Sequence, residues 1–175
     1  GLAGVAGNRM TVAGSSGNWE LVNSIFQNVL LAQGLLSIVL LSASLVVVST
    51  VDLQHQLGFT QISASDTSAI LVLLLCYMIA GFYMGLFRAA YRASELEARG
   101  VMAINFWKLT DFVVALTVIC LHGRALFLAE AILGVALLWA LLLYVDVRRR
   151  CPQVEFGLAR ASWAQSNTIF TAGPP

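Results

Sequence analysis

The stretch SAILVLLLCYMIAGFYMGLFRAA, residues 68–90, carries a single charge, Arg88, close to its end. At about 1.5 Å of rise per residue, roughly 20 apolar residues cross a hydrocarbon core about 30 Å thick. Apolar side chains fall on every face, without the alternation of a membrane barrel strand. Inside lipid a segment must satisfy its own backbone groups, so the stretch reads as a transmembrane helix. Three more stretches read the same way, at about 29–50, 101–121 and 125–145, the first of these three preceding residues 68–90. Composition agrees: of 175 residues 59% are hydrophobic and 11% charged, with a mean hydropathy of +0.83. Soluble domains are about half apolar and a quarter charged. A disordered chain, a disulfide scaffold and an ordinary cytosolic enzyme are thereby excluded. The expected fold is all-α: an integral membrane four-helix bundle of four transmembrane spans with short interfacial segments.

Basic residues set the expected orientation. Arg88, Arg92, Arg99 and Lys108 lie on or beside the second connection, and Arg148, Arg149, Arg150 and Arg160 in or before the C-terminal tail. The first connection has Asp52 and Asp66 and neither Arg nor Lys. The positive-inside rule then places both termini on the cytoplasmic-equivalent side. Trp19, Tyr91, Trp107 and Tyr144 fall at that same boundary, where amphipathic rings settle. Residues 1–17 read as a Gly-rich N-terminal tail, 18–150 as the four-span unit, and 151–175 as a tail that lies on lipid or docks on a partner. Trp19, Val22, Phe26 and Val29 recur at helical spacing and suggest an interfacial helix leading into the first span. Glu95 and Arg99 suggest an i,i+4 pair on a helix that projects beyond the bilayer and ends at Gly100. Phe156, Trp163 and Phe170 repeat every seven residues, as a docking face would. Cys151, beside the basic run, is a candidate for lipidation.

Polar groups inside the spans are the candidate functional residues, because ionisable side chains in hydrocarbon are costly. Lys108 and Asp111, three residues apart, share a helix face near the inner end of the third span, where Gln33 and Tyr83 are expected at the same level. Glu130 lies toward the outer end of the fourth. Gln33, Ser37 and Ser44 form a polar stripe on the first span, suited to helix packing or to lining a pore in an oligomer. Gly81 and Gly85 form a GxxxG spacing that favours close helix approach. His55 and His122 are expected near the outer surface. They are the side chains that would hold a haem or a chlorophyll-type pigment.

No nucleophile elbow, HExxH, phosphate-cradling loop or dinucleotide fingerprint is present. A net charge of +1 gives no field to attract nucleic acid. The expectation is a non-catalytic structural or accessory subunit, a tetraspan scaffold of a larger membrane complex. Its partners would be membrane lipids, some of them bound, and other integral membrane subunits or further copies of itself. The alternatives are a small oligomeric channel or transporter using Asp111 and Glu130, and a haem- or pigment-binding component of an electron-transfer or light-harvesting assembly. The four-span plan with the carboxylate of Lys108-Leu-Thr-Asp111-Phe-Val-Val early in the third span resembles MARVEL-type tetraspan proteins. That likeness is one of topology and implies no site residue.

Overall fold

The computed structural model describes residues 2–58 and 62–159. These form α1 (Leu2–Ser15), α2 (Trp19–Thr50), α3 (Leu53–Leu57), α4 (Ala64–Ala93), α5 (Glu97–Cys120) and α6 (Ala125–Arg150), with no strand among them. By length and composition α2, α4, α5 and α6 fit the four spans of a multi-pass membrane protein. The start of α2 and the end of α6 lie together, because Asn23 hydrogen-bonds Gln153. The arginines of α4 to α6 gather at this end, here termed the basic end; the opposite one is the far end.

Local chemistry fixes the helix boundaries. Asn18 Oδ1 accepts from the Leu21 N–H at 3.1 Å to cap α2, and Ser63 Oγ accepts from the Asp66 N–H at 3.1 Å to cap α4. Two reversals use a left-handed residue that is not glycine: Glu95 (φ 61°) after α4 and His122 (φ 55°) after α5. In each, the next residue reaches back five positions. The Leu96 N–H donates to the Tyr91 carbonyl at 2.8 Å, and the Gly123 N–H to the Val118 carbonyl at 2.8 Å. The expected Glu95–Arg99 pair is therefore not made, because Glu95 is the reversing residue. Gly100 ends no helix; it lies in the first turn of α5, where an added Cβ would sit 3.1 Å from the Tyr91 Cβ.

α4 packs against every other helix, whereas α2 has no substantial contact with α5 or α6. Toward the basic end α4 is enclosed on all sides: Met84, Leu86, Ala90 and Tyr91 are fully buried. The face of α6 that meets the interior carries Ala129, Ala136 and Leu143, spaced by seven residues as in left-handed helix packing. Small residues on that face let backbones approach, which matters where lipid provides no hydrophobic drive between helices.

The Gly-rich stretch expected as a tail is α1, and it is part of the interior. Ala6, Met10 and Ala13 are buried, and α1 packs on α4 and α2. Its glycines are the means of contact: an added Cβ would lie 3.3 Å from the Ala89 Cβ at Gly7, and 2.2 Å from the Ala93 carbonyl oxygen at Gly14. The expected interfacial helix before the first span is also interior. It is the first third of one continuous 32-residue helix, with Val22, Ile25, Phe26 and Val29 buried.

Gly14→Ala should therefore cost about 1–3 kcal/mol, because the Cβ strikes backbone and α1 must move away from α4. Gly4, also in α1, has nothing within 4 Å of an added Cβ. Gly4→Ala should be neutral or stabilise by up to about 1 kcal/mol through helix propensity. Thermal unfolding of both variants in detergent, followed by circular dichroism, separates the two expectations.

Candidate functional site

Polar chemistry in the chain collects at three places. The first is within the membrane, between α4 and α5. The Tyr77 hydroxyl donates to Asp111 Oδ2 at 2.5 Å. Lys108 Nζ donates to the same hydroxyl at 3.3 Å and stands 3.8 Å from the centroid of the Trp107 ring. No Lys108–Asp111 ion pair forms; the phenol stands between cation and carboxylate and hydrogen-bonds both. Asp111 Oδ1 and Trp107 Nε1 are buried without a hydrogen-bond partner. Asp111 is deeper than expected. Because α5 begins only three residues after α4 ends, Asp111 lies roughly 21 Å along the helix from Glu97. Gln33 meets α4 nearer the basic end, where its Nε2 donates to the Phe82 carbonyl at 3.3 Å. Tyr77, about 9 Å further along α4 than Tyr83, is the partner instead.

The second place is at the basic end. Arg99 of α5 grips Asp146 of α6 through Nε and Nη2, at 2.7 and 2.8 Å. The Tyr91 hydroxyl of α4 donates to the same carboxylate. Beside this triad α5 and α6 diverge into a groove of about 600 Å³, with Arg149 on its rim and Met102, Phe106 and Trp139 along its wall.

The third place holds the start of the C-terminal segment. Asn23 Nδ2 donates to the Gln153 carbonyl at 3.0 Å, and Asn23 Oδ1 accepts from the Glu155 N–H at 2.9 Å. Gln27 Nε2 donates to the Glu155 carbonyl at 3.2 Å. One helix face thus offers two amides that grip an irregular strand of backbone as a ladder partner would. Phe156 then seats edge-on against Phe26 and Tyr144, with centroids 5.3 and 5.1 Å apart. The expected docking residue Phe156 docks on its own chain, whose aromatic cluster supplies the surface. Trp163 and Phe170 lie outside the described residues. Cys151 is fully buried beneath this segment, and burial pushes its thiol up from the ordinary range. It is neither exposed nor activated for lipidation.

The remaining candidates do not converge. Gln33 and Ser37 are 4% and 7% exposed, so their part of the polar stripe is turned inward rather than toward a partner or a pore. Ser37 Oγ donates to the Gln33 carbonyl at 2.7 Å and Ser44 Oγ to the Leu41 carbonyl at 2.8 Å, within their own helix. Gly81 faces Trp107 of α5, whereas Gly85 lines a cleft with Gly4 and Gly7 of α1. The GxxxG pair thus serves two neighbours. Glu130 is exposed on α6, with no hydrogen bond or ion pair to a described residue. Arg124 reaches Asp66 instead, at 3.4 Å. His55 in α3 and His122 at the α5–α6 reversal are both exposed, on separate connections. Among the described residues no group of three or more His, Cys, Asp or Glu could hold a metal ion.

Comparisons with protein-family models, curated proteins and solved structures find no match. Tyr77, Tyr91, Arg99, Asp146, Asn23 and Gln27 were not evident as site residues from sequence. One signal was available: Asn23 and Gln27 are polar at i,i+4 within the buried period of Val22, Phe26 and Val29.

Asn23→Ala should release residues 153–156, since it strips partners from two backbone groups at a cost of about 1–3 kcal/mol. The buried thiol reports it. A maleimide should label Cys151 slowly in the intact protein and markedly faster in Asn23→Ala, with helicity unchanged by circular dichroism.

Proposed function

We propose that this chain is a non-catalytic structural or accessory subunit of a larger integral membrane assembly, a four-span scaffold that acts by helix packing. Its basic end would face the cytoplasmic-equivalent side, consistent with the arginines gathered there. The observation that carries the reading is Glu130. It lies five residues into α6, roughly 7.5 Å below the start of the helix, exposed and without a partner among the described residues. A carboxylate in hydrocarbon is unfavourable unless another group meets it. A helix of a neighbouring subunit is the group that fits a lipid-facing position.

The outward apolar faces of α2 and α6 support this. Ile38, Val39, Leu45 and Val46 of α2 and Leu137, Leu138 and Leu141 of α6 are all exposed, leaving long faces for neighbouring helices. Phe156 is engaged internally, so partner contact falls on these helix faces rather than on that part of the tail.

A second reading, a proton or cation path, is supported by the Lys108–Tyr77–Asp111 chain of hydrogen bonds within the membrane. On that reading Asp111→Asn abolishes flux in reconstituted vesicles; undiminished flux refutes it and leaves the cluster a packing device. The exposed, separated histidines lend no enclosed slot to the haem or pigment reading.

Glu130→Leu decides the main reading. It should leave the melting behaviour of the isolated chain within about 0.5 kcal/mol, as for surface substitutions. It should also remove the chain from the assembly with which it co-purifies after gentle solubilisation of native membranes. Undisturbed co-purification would overturn the proposal.

A further inference from the structure

We propose that the groove between α5 and α6 at the basic end binds one anionic phospholipid. Its phosphate would sit on Arg149 and Arg99, and an acyl chain would lie along Met102, Phe106 and Leu142. Three observations carry the inference, and none depends on the assembly role proposed above.

The first is shape. The groove's volume of about 600 Å³ falls within the about 300–1,000 Å³ of small-ligand clefts. It is a furrow open along one side. Met102, Phe106 and Leu142 are 58%, 51% and 49% exposed, so an occupant would cover apolar surface already turned outward. The second is charge. Two arginines face one carboxylate at the rim, leaving it net positive. Arg99 is held in place: it engages Asp146 through Nε and Nη2, and a guanidinium has five N–H donors to offer. Arg149 is exposed and makes no hydrogen bond or ion pair with a described residue. The third is depth. Charge is confined to residues 99, 146 and 149, at the ends of α5 and α6. Residues 102, 106, 139 and 142 run from there into the apolar parts of the same helices. Polar head and apolar chain are therefore matched in order along the membrane normal. A soluble anion would leave the wall uncovered, and an apolar helix would leave Arg149 unpaired. Basic pockets between spans recognise anionic headgroups by this combination.

Native mass spectrometry of the full chain in detergent tests the site, using a phosphatidylglycerol and a phosphatidylcholine with the same acyl chains. The expected result is one phosphatidylglycerol bound in preference to phosphatidylcholine. Arg149→Gln should weaken that binding about tenfold, the loss of one charge-assisted contact, and erase the preference. Arg148→Gln is the control. Arg148 donates to the Tyr144 hydroxyl at 3.1 Å and is absent from the groove, so both binding and preference should persist. Leu142→Trp, which fills the furrow, should reduce binding of both lipids. Glycerol phosphate, a headgroup without a chain, should not bind. Equal losses in Arg148→Gln and Arg149→Gln would overturn the proposal in favour of diffuse attraction to the basic run. Equal binding of the two lipids, or tight binding of glycerol phosphate, would also overturn it.

Discussion

One carboxylate joins three helices. Asp146 of α6 receives the Tyr91 hydroxyl of α4 and a two-pronged grip from Arg99 of α5. Tyr91 is fully buried, its ring lies over Gly100, and its carbonyl accepts the Leu96 N–H that closes the α4–α5 reversal. Between helices in lipid there is no hydrophobic drive, so polar contacts and close backbone approach settle the arrangement. At the basic end both are concentrated in one place. The position of α5 relative to α6, and with it the shape of the groove, follows from this junction.

The molecule is correspondingly uneven along its length. Around α4 the basic end is built like a soluble core, with α1, the start of α2 and the segment after α6 wrapped over it. Toward the far end the helices present Leu, Val and Ile outward, and α2 runs on with little beside it. The same four spans thus provide a rigid base and a set of uncovered rods.

The architecture was legible because its cause is local: runs of some 20 apolar residues have one solution in lipid. The candidate site was legible in part. Asp111, Glu130 and the arginine clusters stand out because charge in an apolar setting is conspicuous without knowledge of neighbours. Their partners depend on register, and register depends on where each helix turns. Glu95, a residue rarely used in a left-handed position, sets the tight α4–α5 reversal and brings Asp111 to the level of Tyr77. α1 was hidden for another reason. Glycine argues against a helix by propensity, yet at Gly7 and Gly14 it is what permits α1 to press against α4. Tertiary contact outweighed local preference there.

The clamp of Asn23 and Gln27 on Gln153 and Glu155 ties residues about 130 positions apart. The early partners emerge from the ribosome first, and their mates follow only after all four spans have been made. Until then the amides of nascent α2 are satisfied by water, and the pocket that Phe156 fills stands open. Completion of the basic end is consequently a post-insertion event, and a chain truncated before residue 153 would reach the bilayer with its four spans but without its seal.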